Sequence, residues 1–336
     1  MMRRFVGSLL VGILFMPVAA LGAKKAPVIA LSNSFYGNSW RKQMVDTMQE
    51  AAKEAKAKGL ISDFVVANGD GTENTQIQQI SSLIVKKVDA IVINAYSLTG
   101  LNGVIAKAHE QGIKVIAFDS LVSSPHAYKI GYDFKSWGTI SAKYIVDRFK
   151  GNAKVLITRG VMGSAPEKEC YEAMMEVFKA NPGIQILGEV DTEADIAKSQ
   201  SAVANVLASY PEIDATAGMS AGFGVVQAFQ NANRKVPVII GSNRAEFINW
   251  WGEEKAKSGY ETISLASEPS IGAVAFWFTV HLLQGEKVPD YRAKPYELGL
   301  VPVTNANVDQ FKGMQPGTVI AQKYDDAWVV KNLLKK

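Results

Sequence analysis

From residue 27 onward, short runs rich in Val and Ile alternate with longer segments of helical period, and the alternation continues with little interruption as far as residue 258. Few folds accommodate such a repetition. Each apolar run followed by a helix reads as a βα unit, and a series of such units builds a parallel sheet covered by helices. The predicted strands are residues 28–31, 64–67, 90–94, 114–118 and 128–131, with helices between the first four. They are continuous apolar runs rather than alternating ones, the pattern that burial on both faces demands. The rhythm restarts at 154–158 and repeats at 185–189, 213–217 and 236–240, with helices near 167–180, 194–209, 224–233 and 245–258. The restart divides the chain into two α/β lobes of similar size, rather than one doubly wound sheet followed by a helical appendage.

Length supports the division, since single cores stop growing near ~250 to 300 residues. Tyr132-Asp133 follows a strand and directly precedes a helix predicted over 137–149. A short strand at 262–265 precedes the apolar helix 271–283, and residues 298–303 are again strand-like. The chain is therefore expected to cross between lobes near residues 132, 260 and 297, and several crossings make a hinge rather than a loose linker. The expected division is 24–132 with 262–296 in the N-terminal lobe, and 133–261 with 297–336 in the C-terminal lobe.

At the N-terminus, Arg3 and Arg4 precede an almost wholly apolar run over 5–20 and the small-residue exit Ala20-Leu21-Gly22-Ala23. This is the layout of a cleavable secretory signal, residues 1–23; the run is shorter than the ~20 residues that span a bilayer. The only cysteine, Cys170, lies far from that exit, so neither a lipid-accepting cysteine nor an intramolecular disulfide is expected. Removal of Arg3 and Arg4 takes the formal charge from +4 to +2, which gives no reason to expect nucleic acid or an acidic membrane surface as partner. A soluble, exported, monomeric protein is the expectation.

Gly218-Met219-Ser220-Ala221-Gly222 fits the Gly-x-Ser-x-Gly nucleophile elbow, and it follows a predicted strand. A hydrolase would also need a later histidine, and His281 is the only one, inside the apolar run 275–280 and its continuation. A core histidine on a helix does not serve as a base on a loop, and the motif counts only in its structural context. The three histidines are dispersed and one cysteine offers no cluster, so no metal is expected. No phosphate-cradling glycine loop is present and no cofactor is expected.

Several segments, weak alone but specific in their order and spacing, carry a family resemblance. They are the first βα loop Ser32-Asn33-Ser34-Phe35-Tyr36-Gly37-Asn38-Ser39-Trp40, the run Val88-Asp89-Ala90-Ile91-Val92-Ile93-Asn94, Gly112-Ile113-Lys114-Val115-Ile116-Ala117-Phe118-Asp119, and Ile130-Gly131-Tyr132-Asp133. With the signal and the two lobes, the chain resembles the type I periplasmic binding proteins, in particular the ribose- and galactose-binding group, over essentially its whole mature length. The resemblance implies two Rossmann-like lobes that close over a small neutral sugar or polyol and deliver it to the membrane permease of an ABC importer, in the periplasm and without catalysis. A chemoreceptor's soluble partner, or a receptor for an autoinducer-2-type signal, is the alternative.

The resemblance also implies where the ligand touches. Phe35, Tyr36 and Trp40, with Asn38 among them, match the aromatic and amide contacts of the first loop, and Asn94 ends the third strand. Asp119 matches a strand-end aspartate that accepts from ligand hydroxyls, but Ser120 stands where the family commonly has arginine. In the second lobe the usual arginine is absent after Gly163-Ser164; Arg159, Glu167 or Glu169 is left to take its polar role. Ser220 replaces an asparagine or aspartate, Asn243 of Gly241-Ser242-Asn243-Arg244 stands for an aspartate, and Glu268 lies near a ligand-contacting glutamine. A carboxylate-rich cleft of this kind favours neutral or cationic ligands over anionic ones.

Overall fold

A computed structural model describes residues 25–335; the expected signal peptide lies outside the described residues. The first lobe contains β1 (Val28–Asn33), α1 (Ser39–Ala57), β2 (Asp63–Asn68), α2 (Glu73–Val85), β3 (Ala90–Asn94), α3 (Asn102–Glu110), β4 (Lys114–Phe118) and β5 (Ala127–Tyr132). The second contains α4 (Phe134–Arg148), β6 (Ala153–Arg159), α5 (Ala165–Lys179), β7 (Ile184–Asp191), α6 (Ile196–Val206), β8 (Ala215–Gly218), α7 (Gly222–Asn231), β9 (Val238–Ile239) and α8 (Ala245–Ser258). The chain ends with β10 (Ile263–Ser264), α9 (Ile271–Gln284), β11 (Tyr296–Leu298), β12 (Val303–Thr304), a 3-10 turn (Val308–Phe311), α10 (Asp326–Val329) and a last turn (Val330–Leu334).

Two parallel sheets result. One has the order β11-β5-β4-β3-β1-β2 and the other β7-β6-β8-β9, as the restarted βα rhythm requires. All five residues of β3 are buried, which accounts for its uninterrupted apolar run. α9 is buried over Ile271 to His281 and packs on α1, β3 and β4, so it is a core helix, apolar around its whole circumference. Among the described residues no helix is long and apolar enough to cross a membrane.

The strand expected at 298–303 is two strands in two sheets. β11 joins β5 in parallel, whereas β12 pairs antiparallel with β10. Pro302 between them has no N–H to carry a ladder onward. Pro237 likewise stands just before β9, which is shorter than expected. α4 begins at Phe134, earlier than its hydrophobic period indicates, because the Asp133 carboxylate accepts from Ser136 N–H and caps it.

The lobes are joined at Tyr132-Asp133, by the residues between β10 and α9, and by those between β11 and β12. A fourth passage follows Ile320, which packs in the second lobe, because Tyr324, Val329 and Leu333 pack in the cluster that holds α9 and the first sheet. The end of the chain thus returns to the first lobe, where the sequence reading had left it in the second. Glu268 ties this passage down: its carboxylate accepts from Tyr324 Oη at 2.5 Å and from Gln322 N–H at 3.2 Å.

The second lobe depends on the close approach of α4 and α5. A Cβ added to Gly138 would lie 2.0 Å from the Cys170 carbonyl oxygen, and backbone cannot yield as a flexible side chain does. Gly138→Ala is expected to destabilise the protein by ~1–3 kcal/mol or more through overpacking. Urea unfolding measures this, and an unchanged midpoint would mean that the helices do not meet as described.

Candidate functional site

The loops at the carboxyl ends of both sheets face each other across a cleft lined from both lobes. Open α/β sheets bind at this edge because the loops there converge without blocking the strands. Here both sheets turn that edge to one space.

On the first-lobe side, Asn38 is extended and its side chain accepts from Arg41 N–H at 2.9 Å, so α1 starts at Ser39. That cap sets Trp40 and Arg41 in the first turn, where both line the cleft. Trp40 Nε1 donates to the Ser267 carbonyl at 3.0 Å, and Arg41 Nη1 donates to Asn33 Oδ1 at 3.1 Å. Asp119 follows β4 in the left-handed region, φ 55°, a conformation Asp tolerates better than bulkier residues. Its carboxylate accepts from Asn94 Nδ2 at 3.3 Å and is 6% exposed. Burial pushes the carboxyl up to about 6 despite the opposing Arg41 charge, and burial likewise pulls Arg41 below its ordinary value.

On the second-lobe side, Phe134 and Trp137 stack at 6.1 Å in the first turn of α4. Ser164 caps α5 and accepts from Glu167 N–H, which places Glu167 at the cleft. Its carboxylate is already held by Arg159, through Nε and through Nη2 at 3.0 Å. Arg159 also reaches Glu189 at 2.7 Å and stacks over Tyr171 at 3.6 Å. After β9 come Ser242, Asn243 and Arg244. Asn243 Nδ2 donates to the Val301 carbonyl at 2.8 Å, and Ser264 Oγ donates to Asn243 Oδ1 at 2.6 Å. Arg244 crosses to the first lobe and donates to Ser39 Oγ. Gln43 adds a second link, gripping both the N–H and the carbonyl of Val319, at 2.8 and 3.1 Å.

Of the residues expected to meet ligand, Asn38, Trp40, Asp119, Glu167 and Asn243 line this cleft. The others stand elsewhere. Phe35 folds its ring over Gly37 and beside Gly71, and Tyr36 is 41% exposed at an outer groove. Asn94 and Ser120 are buried behind Asp119 rather than lining the cleft. Arg159 stands behind Glu167, and Glu169 is half-buried near Lys135 and Glu297. Glu268 is consumed in the hinge, as above.

Ser220 is 1% exposed and accepts from Thr158 Oγ1 at 3.1 Å. His281 sits in the first lobe between Glu286, at 2.8 Å, and Asp326, at 2.7 Å. The elbow therefore has no base, and a hydrolase is not supported. Among the described residues no group of three or more His, Cys, Asp or Glu is placed to hold a metal.

Cleft-lining residues that were not among the sequence candidates include Arg41, Phe134, Trp137, Ser242, Arg244 and Ser267. Arg41 and Arg244 each adjoin a residue that was chosen, and Arg244 was read only as part of a motif. Phe134 and Trp137 had a usable signal: two aromatics three apart, just after a strand end and a capping aspartate.

A family model described as a periplasmic binding protein domain matches residues 29–287. The ribose import binding protein of Bacillus subtilis is 24% identical over 281 residues, covering 82% of this chain and 88% of that protein. The xylitol-binding protein of Mycolicibacterium smegmatis is 26% identical over 265 residues, covering 76% of this chain and 72% of that protein. The crystal structure of an ABC transporter solute binding protein from Thermobispora bispora is 33% identical, with a TM-score of 0.85, and the match covers 91% of this chain and 94% of that one. The family model takes in the second sheet, the first sheet apart from β11, and the first two passages between the lobes, and the chain accordingly belongs to the periplasmic binding protein family.

Proposed function

We propose that the protein is the periplasmic binding component of an ABC importer, which takes up a sugar-class ligand, a sugar or polyol, between its lobes and hands it to a membrane permease. The observation that carries this reading is the composition of the cleft: indole and phenyl faces from both lobes surround buried charged groups. A sugar presents weakly polar C–H faces and hydroxyls that both donate and accept. Trp40, Phe134 and Trp137 suit the former; Arg41 and Asp119 suit the latter. The cleft is lined by both lobes, so a ligand in contact with both stabilises the closed arrangement over an open one. Family membership and the signal expected at residues 1–23 support export to the periplasm.

Isothermal titration of the exported protein against pentoses, hexoses and their polyols is expected to give saturable one-to-one binding for one stereochemical class, with a matching rise in melting temperature. Absence of binding and of any thermal shift across the panel would remove the reading.

Asp119 supplies a second check. Ligand hydroxyls donate to the ionised carboxyl and so favour that form, whereas the empty cleft takes up a proton near pH 6. Ligand binding then releases a proton below pH 6, and affinity is expected to fall by up to about tenfold per pH unit as pH drops through that value, while staying level above pH 7. Asp119→Asn is expected to weaken binding by about 10- to 100-fold at pH 7.5, from a lost charge-assisted bond of ~1.5–3 kcal/mol, and to flatten the pH dependence. A variant that binds as the parent does would exclude Asp119 from the ligand site.

A further inference from the structure

The two lobes touch each other directly as well as across the cleft. Ser39 and Gln43 stand four residues apart on α1 and so share one face of that helix, one turn above the other. Opposite them, Arg244 and Val319 form an antiparallel bridge in the second lobe, backed by hydrogen bonds from Ala245 N–H to the Thr318 carbonyl and from Ile320 N–H to the Asn243 carbonyl, both at 2.9 Å. Those bonds belong to the residues on either side, so Val319 turns its own N–H and carbonyl away from Arg244. Gln43 takes both, as a further strand would: its Oε1 accepts from the N–H at 2.8 Å and its Nε2 donates to the carbonyl at 3.1 Å. One turn earlier on the helix, Ser39 Oγ accepts from Arg244 Nη1.

None of these three bonds involves a ligand. Ser39 and Gln43 do not line the cleft, although Arg244 and Val319 do. With the lobes as they stand Val319 is buried, and buried backbone groups require partners, which Gln43 supplies from the other lobe. Arg244 is set for its contact by its own lobe: Nη2 donates to the Ala194 carbonyl at 3.0 Å, and the neighbouring Asp195 and Glu246 favour its charge. Its partner across the lobes is a neutral hydroxyl, so the link does not rest on an ion pair. Thr47, one turn beyond Gln43, approaches the Pro269 carbonyl in the passage before α9 at 3.5 Å. The row Ser39, Gln43, Thr47 therefore runs from the rim of the cleft to the hinge, and Ser39, farthest from the hinge, is displaced most when the lobes swing apart.

We propose that Ser39 and Gln43 of α1, closing on Arg244 and Val319, form a latch that shuts part of the protein before any ligand arrives and lengthens the stay of whatever ligand enters. The inference goes beyond the reading of the cleft as a sugar-class site, because it assigns affinity to residues that meet no ligand. A contact made only in the closed arrangement shifts the balance between open and closed forms, and it does so by the same factor for every ligand. It forms after the ligand has entered, so its loss speeds dissociation and leaves association nearly unchanged.

The test needs no ligand. Tyr36→Cys and Met162→Cys, at exposed positions in the first βα loop of each lobe, carry spin labels, while the native Cys170 is buried. The distance distribution of the ligand-free protein, measured by pulsed electron resonance, is expected to contain a short, closed population. Ser39→Ala with Gln43→Ala is expected to lower the closed-to-open ratio by about tenfold or more, each single variant by less, and Lys53→Ala, exposed elsewhere on α1, to leave it as in the parent. Alanine suits a helix, and Asn38 rather than Ser39 caps α1, so the variants are expected to fold; the single ones serve if the double one does not. Stopped-flow fluorescence adds a second reading with D-ribose, D-allose, D-xylose and xylitol as probes. For each that binds, the double variant is expected to dissociate about tenfold faster, by a similar factor from probe to probe, with association within about twofold of the parent. A parent with no closed population, variants with the parent's distribution, or unchanged dissociation would overturn the latch and leave sugar-class binding intact. Absence of binding by all four probes leaves the distance measurement to decide.

Discussion

Withdrawing a guanidinium or carboxylate from water costs several kcal/mol unless other groups replace its hydration, and this cleft holds Arg41, Asp119, Glu167 and Arg244 at 6% exposure or less. Much of the surrounding architecture can be read as the means of supporting them. Asn33 and Asn94 end neighbouring strands and hold Arg41 and Asp119. Arg159, itself stacked on Tyr171, holds Glu167. The cap at Asn38 and the left-handed turn at Asp119 fix the backbone from which two of these groups project. Residues that do not line the cleft thus decide its chemistry, and two of them, Asn94 and Arg159, are polar strand-end residues that the sequence offered as ligand contacts.

The fold was legible because it rests on periodicity. Runs such as 90–94 and 114–118 coincide with β3 and β4 to the residue, since buried parallel strands leave no room for polar interruption. The site was legible only in part. Asp119 and Trp40 could be placed because the positions just beyond β1 and β4 are fixed by the sheet. Arg159 and Glu167 could not be ranked, because which of two paired charges faces the ligand depends on how α5 leans on β6, and no spacing encodes that. Phe134 and Trp137 were hidden for a different reason: aromatics in the first turn of a helix read as core, and both do pack against the first-lobe cluster while also lining the cleft.

The Gly-x-Ser-x-Gly segment shows how a motif can be satisfied by packing alone. Gly218 has φ 140°, and a Cβ there would meet the Thr158 carbonyl oxygen at 2.1 Å; Gly222 lies against the Phe247 ring. Both glycines are required by close approach, and the serine between them is one more buried hydroxyl with a neighbour to bond. Chemistry enters only where a side chain has capacity to spare.

The passages between the lobes have a consequence of their own. Two bodies on one strand of chain can twist, slide and separate, and a ligand that brings them together must remove all of that freedom. Here the chain passes between lobes at four places, β10 and β12 bind two of those passages into a ribbon, and Tyr324 and Gln322 pin the last to Glu268. A ribbon of this kind bends readily about one axis and resists other displacements. The open state is thereby narrowed before any ligand arrives, the entropy surrendered on closing is small, and more of the contact energy made in the cleft is left to appear as affinity.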